Sequence, residues 1–155
     1  MRSVYKVLAY LIALEVAVQA AAMVFAVAGL GIWITEGNSA DEAAFEGMFE
    51  GDVTFTGVGG LMVHAINGMM VIPVLALVLL IVSFFAKLPR GIAAAAALLL
   101  LVVVQVALGL FGHSNAYFGL LHGANALLLF AGALHAARLA SVRTTAAAER
   151  TYVDA

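Results

Sequence analysis

The chain has 155 residues, of which 65% are hydrophobic and only 10% are charged, and its net charge is −2. A soluble domain is about half apolar and about a quarter charged, so this composition excludes an ordinary soluble protein and predicts an integral membrane protein. The chain has no cysteine, which excludes disulfides, thiolate metal sites and cysteine nucleophiles. It has no outward-facing basic patch to support nucleic-acid binding.

Four apolar runs are long enough to cross a bilayer, which takes about 20 residues of α-helix. The predicted fold class is therefore all-α, a four-transmembrane-helix bundle over residues 1–140. Residues 35–59 form an outer loop, and residues 141–155 are predicted to be a flexible cytoplasmic tail. The predicted spans cover about 5–34, 61–86, 92–111 and 118–140.

The placement of charge predicts the orientation of these spans. All seven Lys and Arg residues lie before or at the start of span one, between spans two and three, or at the end of span four and beyond it. The charged residues of the loop between spans one and two are all acidic. Basic residues favour the inner side of a membrane, so both termini are predicted to be cytoplasmic, in a multi-pass protein of the plasma membrane. The first apolar run continues to Ile34, longer than the about 7–15 residues of a signal-peptide core, so span one is predicted to remain uncleaved.

The outer loop carries the pattern of a short amphipathic helix. Ser39 and Glu42 have the spacing of a capping box, with Ser as the cap and Glu three residues later. Phe45, Met48 and Phe49 follow at spacings that put them on one helical face. A helix lying on the outer surface of the bundle is predicted here.

A motif of glycine, apolar residues, histidine and asparagine occurs twice. The first copy runs from Gly60 to Asn67 around His64, and the second runs from Gly119 to Asn125 around His122. In the preceding span of each copy, a glutamine, Gln19 or Gln105, comes six residues before a phenylalanine. Spans one and two are therefore predicted to repeat as spans three and four, around a pseudo-two-fold axis along the membrane normal.

The two histidines predict a shared cofactor. An imidazole in a hydrocarbon environment is costly unless it is paired or bound. Neighbouring helices lie about 8–10 Å apart, so the diagonal between spans two and four is roughly 11–14 Å, which suits a flat ring held from both faces. His64 and His122 are thus the predicted axial ligands of one haem b. Side chains predicted to complete this cofactor site are Gln19, Asn67, Gln105 and Asn125.

Other interpretations of the polar residues remain open. The histidines and asparagines can simply hydrogen-bond across helices, and a zinc or copper site would need His113 beside His64 and His122. His135 lies 13 residues after His122, about 140° round the helix, so no second haem is predicted. Its predicted partner is Glu15, in a structural pair or a proton relay.

Four glycines near the outer ends of spans one and three are predicted to serve plain helix packing or, alternatively, to allow close approach of backbones or of a ring edge. They are Gly29, Gly31, Gly109 and Gly112.

A resemblance to a known family rests on the second histidine motif. Residues 105–138, with a Gln-x3-Gly run and the segment Leu-His-x2-Asn-Ala-Leu-Leu-Leu-Phe, resemble the last two helices of one half of a haem A synthase. Each half of that family is a four-helix unit that holds haem b between histidines of its second and fourth helices, so the resemblance implies this role for His64 and His122. The synthase's first half has glutamate where this chain has Leu61, so its oxidation chemistry is not implied.

Over nearly its full length the chain also resembles a family of small four-span membrane proteins of high-GC Gram-positive bacteria, which implies no activity. The leading functional hypothesis is a single-haem, bis-histidine b-type protein for electron transfer or haem handling, with a quinol or a respiratory-chain protein as partner. The alternative is a non-catalytic membrane accessory or assembly subunit without a cofactor. A proton-coupled transporter using Glu15 and His135 is third and would require a homo-oligomer. No catalytic residue is assigned.

Overall fold

The computed structural model describes residues 1–112 and 114–153, with side chains described for residues 1–112 and 114–141. This part of the chain is helical and contains no strand. One helical stretch is interrupted by a π-helix, which the sequence patterns did not predict. The elements are α1 (Arg2–Thr35), α2 (Glu42–Glu50), α3 (Gly59–Ile66), the π-helix (Asn67–Val71), α4 (Ile72–Ala86), α5 (Gly91–Phe111) and α6 (Ala116–Val153).

Four helical segments are long and apolar enough to cross a membrane. They overlap the four predicted runs, and their lateral surfaces are apolar: Leu127 is 72% exposed and Leu120 is 68% exposed. Large apolar side chains at such exposure require lipid rather than water around them. The prediction of an all-helical, multi-pass membrane protein is thereby confirmed. The segments are Arg2–Thr35, Gly59–Ala86, Gly91–Phe111 and Ala116–Ser141.

The chain divides into two compact units. The larger unit comprises Met1–Val16 and Met70–Ala155, and the smaller unit comprises Ala17–Met69. The core of the larger unit contains many alanines, whose small side chains let helix backbones approach closely where no hydrophobic effect drives association. Its largest fully buried side chains are Tyr5, Ile12, Leu79, Leu98 and Leu129.

Within the larger unit, polar contacts join the beginning of α1 to the turn between α4 and α5. The distribution of charge predicts that this turn is cytoplasmic. The buried hydroxyl of Tyr5 donates to the Gly91 carbonyl at 3.0 Å. Arg2 donates through Nε to the Ala86 carbonyl at 3.3 Å and through Nη2 to the Lys87 carbonyl at 3.2 Å. These carbonyls end α4, where a helix leaves acceptors without intrahelical partners, so Arg2 stabilises that terminus.

Backbones approach each other closely in the smaller unit. A side chain at Gly29 would fall onto the carbonyl of Thr56, and one at Gly60 onto the carbonyl of Ala22. Trp33 and Phe55 pack with ring centroids 5.9 Å apart. Glycine at these two positions lets the second half of α1 contact the segment that leads into α3. The predicted role of Gly29 is confirmed, whereas a Cβ at Gly31 would meet nothing within 4 Å, so the predicted role of that residue is wrong.

The short helix predicted in the outer loop is present as α2, but its cap differs from the predicted one. Asp41, not Ser39, is the N-cap, and its carboxylate accepts from the Ala44 amide at 3.0 Å. Both residues can cap a helix, and the predicted one lies two positions too early. Met48 is buried while Phe45 and Phe49 are 42% and 52% exposed, so the predicted apolar face is divided between the interior and the surface.

The last helix extends beyond the predicted end of span four at Ala140. Helical backbone continues to Val153 through a segment rich in alanine, a strong helix former. The remaining residues of the predicted tail, 154–155, and the side chains of residues 142–153 lie outside the described part.

Substitution of Gly29 by Ala tests the close approach in the smaller unit. The added methyl would meet the Thr56 carbonyl, so we expect a loss of stability of roughly 1–3 kcal/mol, as for other overpacking changes. Gly31→Ala, two residues away on the same helix with open space, is the matched control and should melt like the wild type. Thermal unfolding in detergent measures both, and equal melting temperatures for the two variants would contradict the close contact at Gly29.

Candidate functional site

The same hydrogen bond between glutamine and histidine occurs once in each unit. In the larger unit, Gln105 Nε2 on α5 donates to the main-chain carbonyl of His122 on α6 at 3.0 Å. In the smaller unit, Gln19 Nε2 on α1 donates to the main-chain carbonyl of His64 on α3 at 3.1 Å. Both bonds use the same atoms of residues that the sequence motifs group together. The structure therefore brings each predicted glutamine to the histidine of its own motif.

The orientation of the His122 ring is set by α5. Its Nδ1 lies 3.0 Å from the carbonyl oxygen of Gln105. Because a carbonyl only accepts hydrogen bonds, Nδ1 carries the proton, and in a neutral ring Nε2 then has the lone pair. Half-buried His122 thus has a defined tautomer, with Nε2 as the nitrogen able to bind a metal.

Gly109 makes room for this imidazole. It lies four residues after Gln105 on α5, and a Cβ there would come within 3.1 Å of Cε1 and 3.2 Å of Nδ1 of His122. Such distances are tighter than ordinary van der Waals contact, so any larger residue would displace the ring. The close approach at Gly109 is therefore to the imidazole of His122, and the predicted approach of a cofactor ring edge stays a prediction.

Asn125 completes the polar group in the larger unit. It is 7% exposed, and its Nδ2 donates to the Leu101 carbonyl at 2.9 Å and to Gln105 Oε1 at 2.6 Å. The amide of Gln105 is therefore held at both ends, with its oxygen accepting from Asn125 and its nitrogen donating to the His122 carbonyl. These bonds also determine which end of the glutamine amide is oxygen.

The counterpart group in the smaller unit is less complete. Gln19 and Asn67 are buried, with 9% and 6% of their surfaces exposed, and His64 is half-buried. Gln19 Oε1 is buried and has no hydrogen-bond partner in the described part of the chain. A Cβ at Gly68 would come 2.8 Å from Gln19 Nε2, so glycine provides the space for this amide. Asn67, the counterpart of Asn125, is the first residue of the π-helix.

Within the described residues, no group of three or more His, Asp or Glu side chains could hold a metal ion. The zinc or copper alternative also needs His113, which lies outside the described residues. Glu15 is half-buried and His135 is exposed, and their predicted pairing stays a prediction.

Comparisons of the chain with protein-family models, with curated proteins and with solved structures found no match. The resemblance to a haem A synthase half therefore stays a prediction from the histidine motifs.

The two glutamines should differ in their contribution to stability. Gln105→Leu removes two hydrogen bonds inside the larger unit. Each such bond contributes about 1 kcal/mol between membrane helices, so we expect a clear loss of stability. Gln19→Leu removes the bond to the His64 carbonyl but also a buried acceptor without a partner, and such an acceptor costs about 1–3 kcal/mol. Its net effect should be close to zero.

Unfolding of the two variants and of the wild type in mixed detergent micelles measures this difference. A Gln19→Leu variant that loses as much stability as Gln105→Leu would contradict the difference between the two polar groups.

Proposed function

We propose that the protein is a membrane cytochrome in which His64 and His122, the latter through Nε2, would hold one haem b. The observation that carries this proposal is the contact between His122 Nδ1 and the Gln105 carbonyl at 3.0 Å. Metal-binding histidines commonly donate their other N–H to a carbonyl or carboxylate, which fixes the tautomer and makes the ligand nitrogen more basic.

The matching bonds from Gln19 and Gln105 support a repeat of the two-span unit. Each anchors the backbone of the histidine in its own motif, at 3.1 Å and 3.0 Å. Two copies related by an axis along the membrane normal would present two imidazoles, one toward each face of a planar cofactor. The charge distribution supports cytoplasmic termini, which would place the histidines and the haem in the outer leaflet.

A haem bound by two imidazoles supplies one-electron transfer and has no open iron position for oxygen chemistry. The chain's own residues would orient the ligands. Gln105 and Gly109 position the His122 ring, and Asn125 holds the Gln105 amide. Gln19 and the buried Asn67 would serve His64 in the same way. A quinol or another small donor, and an acceptor on the outer side such as a respiratory-chain protein, are the proposed electron partners.

The absorption spectrum of the detergent-purified protein tests this function. After expression with ample haem, we expect a Soret band and sharp α and β bands of a low-spin b-type haem when reduced. His64→Ala and His122→Ala should each convert the haem to a high-spin form or abolish its binding, because one axial ligand is lost. His135→Ala, at an exposed histidine, is the matched control and should leave the spectrum unchanged.

Absence of a Soret band from folded wild-type protein would contradict the cytochrome proposal. The same result would favour a second function, a cofactor-free accessory subunit, for which α2 provides a specific observation. This helix is capped at both ends, yet it exposes Phe45 and Phe49. In that case a respiratory complex should co-purify with the wild type. It should no longer co-purify with the double variant that carries Phe45→Ser and Phe49→Ser.

A further inference from the structure

The buried positions that follow the two histidines show the same spacing but differ in register by one residue. Intervals of four, three and four residues occur in both sets. After His64, the buried positions come 8, 12, 15, 19 and 22 residues later, at Ile72, Ala76, Leu79, Ser83 and Ala86. After His122, they come 7, 11, 14 and 18 residues later, at Leu129, Ala133, Ala136 and Ala140, and Ala137, next to Ala136, is buried as well.

The two motifs agree in register as far as their asparagines. Asn67 and Asn125 each lie three residues after the histidine, and they are buried alike, at 6% and 7% exposure. The difference of one residue therefore arises after Asn67 and before Ile72. This interval is the π-helix Asn67–Val71, whereas the corresponding interval of α6 is regular α-helix.

A π-helix can take up one additional residue without changing the faces of the helices on either side, because its hydrogen bonds run from i to i+5. Pro73, the second residue of α4, favours the interruption. Proline has no N–H, so the α-helical bond that residue 73 would make to the Met69 carbonyl is already missing. Without the π-helix, the extra residue would rotate the following buried positions by about 100° relative to His64.

We propose that the π-helix is a positioning element of the first motif. It takes up one residue that the second motif lacks, so that the residues from His64 to Asn67 and the buried positions of α4 both keep the spacings found in the second motif. The test through the haem spectrum rests on the proposed function. The register itself is independent of any cofactor.

Deletion of a single residue tests the proposal. Removal of Met69, which is 51% exposed and lies within the π-helix, should give regular α-helix with the spacing of the second motif. We expect the variant to fold, to melt at or above the wild-type temperature, and to keep a low-spin haem spectrum. Deletion of Met70, 63% exposed in the same π-helix, should behave alike.

The matched control is deletion of Leu127, which is 72% exposed and lies between Asn125 and Leu129 in regular α-helix. This deletion should rotate the helix on one side of it by about 100° and abolish both the folded state and haem binding. Tolerance of the Leu127 deletion, or equal damage from the Met69, Met70 and Leu127 deletions, would overturn the inference.

Two readouts separate this inference from the proposed function. If the wild type shows no Soret band, the haem proposal fails, but the melting temperatures of the deletion variants still decide the register. If the wild type is a low-spin cytochrome and both π-helix deletions become high-spin while remaining folded, the cytochrome stands and the positioning role is wrong.

Discussion

The hydrogen bond from a glutamine side chain to the main-chain carbonyl of a histidine is the interaction on which the candidate site depends. In a bilayer the surroundings offer no water to satisfy a polar side chain, so each such group must find a partner within the protein. Gln105 and Gln19 meet this need by bonding to His122 and His64 on the next spanning segment. Each bond therefore holds two helices together and places a histidine backbone at the same time.

The two polar groups use this interaction to different extents. In the larger unit, Asn125 occupies the second end of the Gln105 amide, and the His122 ring bonds back to the same glutamine's backbone. In the smaller unit, Gln19 Oε1 has no such partner in the described part of the chain. The π-helix begins at the matching asparagine, and π-helices are frequent at functional sites.

Much of the fold could be predicted because a membrane restricts it to long apolar helices, which composition and run length reveal. The glutamines and histidines could be grouped because matching spacings put them on matching positions. The π-helix could not be predicted, since it depends on which carbonyls the backbone amides of 67–72 bond after packing. The cap at Asp41 was missed because Ser39 satisfies the same spacing rule, and open space beside Gly31 follows only from the path of the neighbouring chain.

The proposed binding of one haem by His64 and His122 can be tested by low-temperature electron paramagnetic resonance of the oxidised protein. With haem and polypeptide quantified in the same sample, we expect one haem per chain and a low-spin ferric signal with the g-values of bis-imidazole ligation. A high-spin signal, or no haem signal from folded protein, would contradict it.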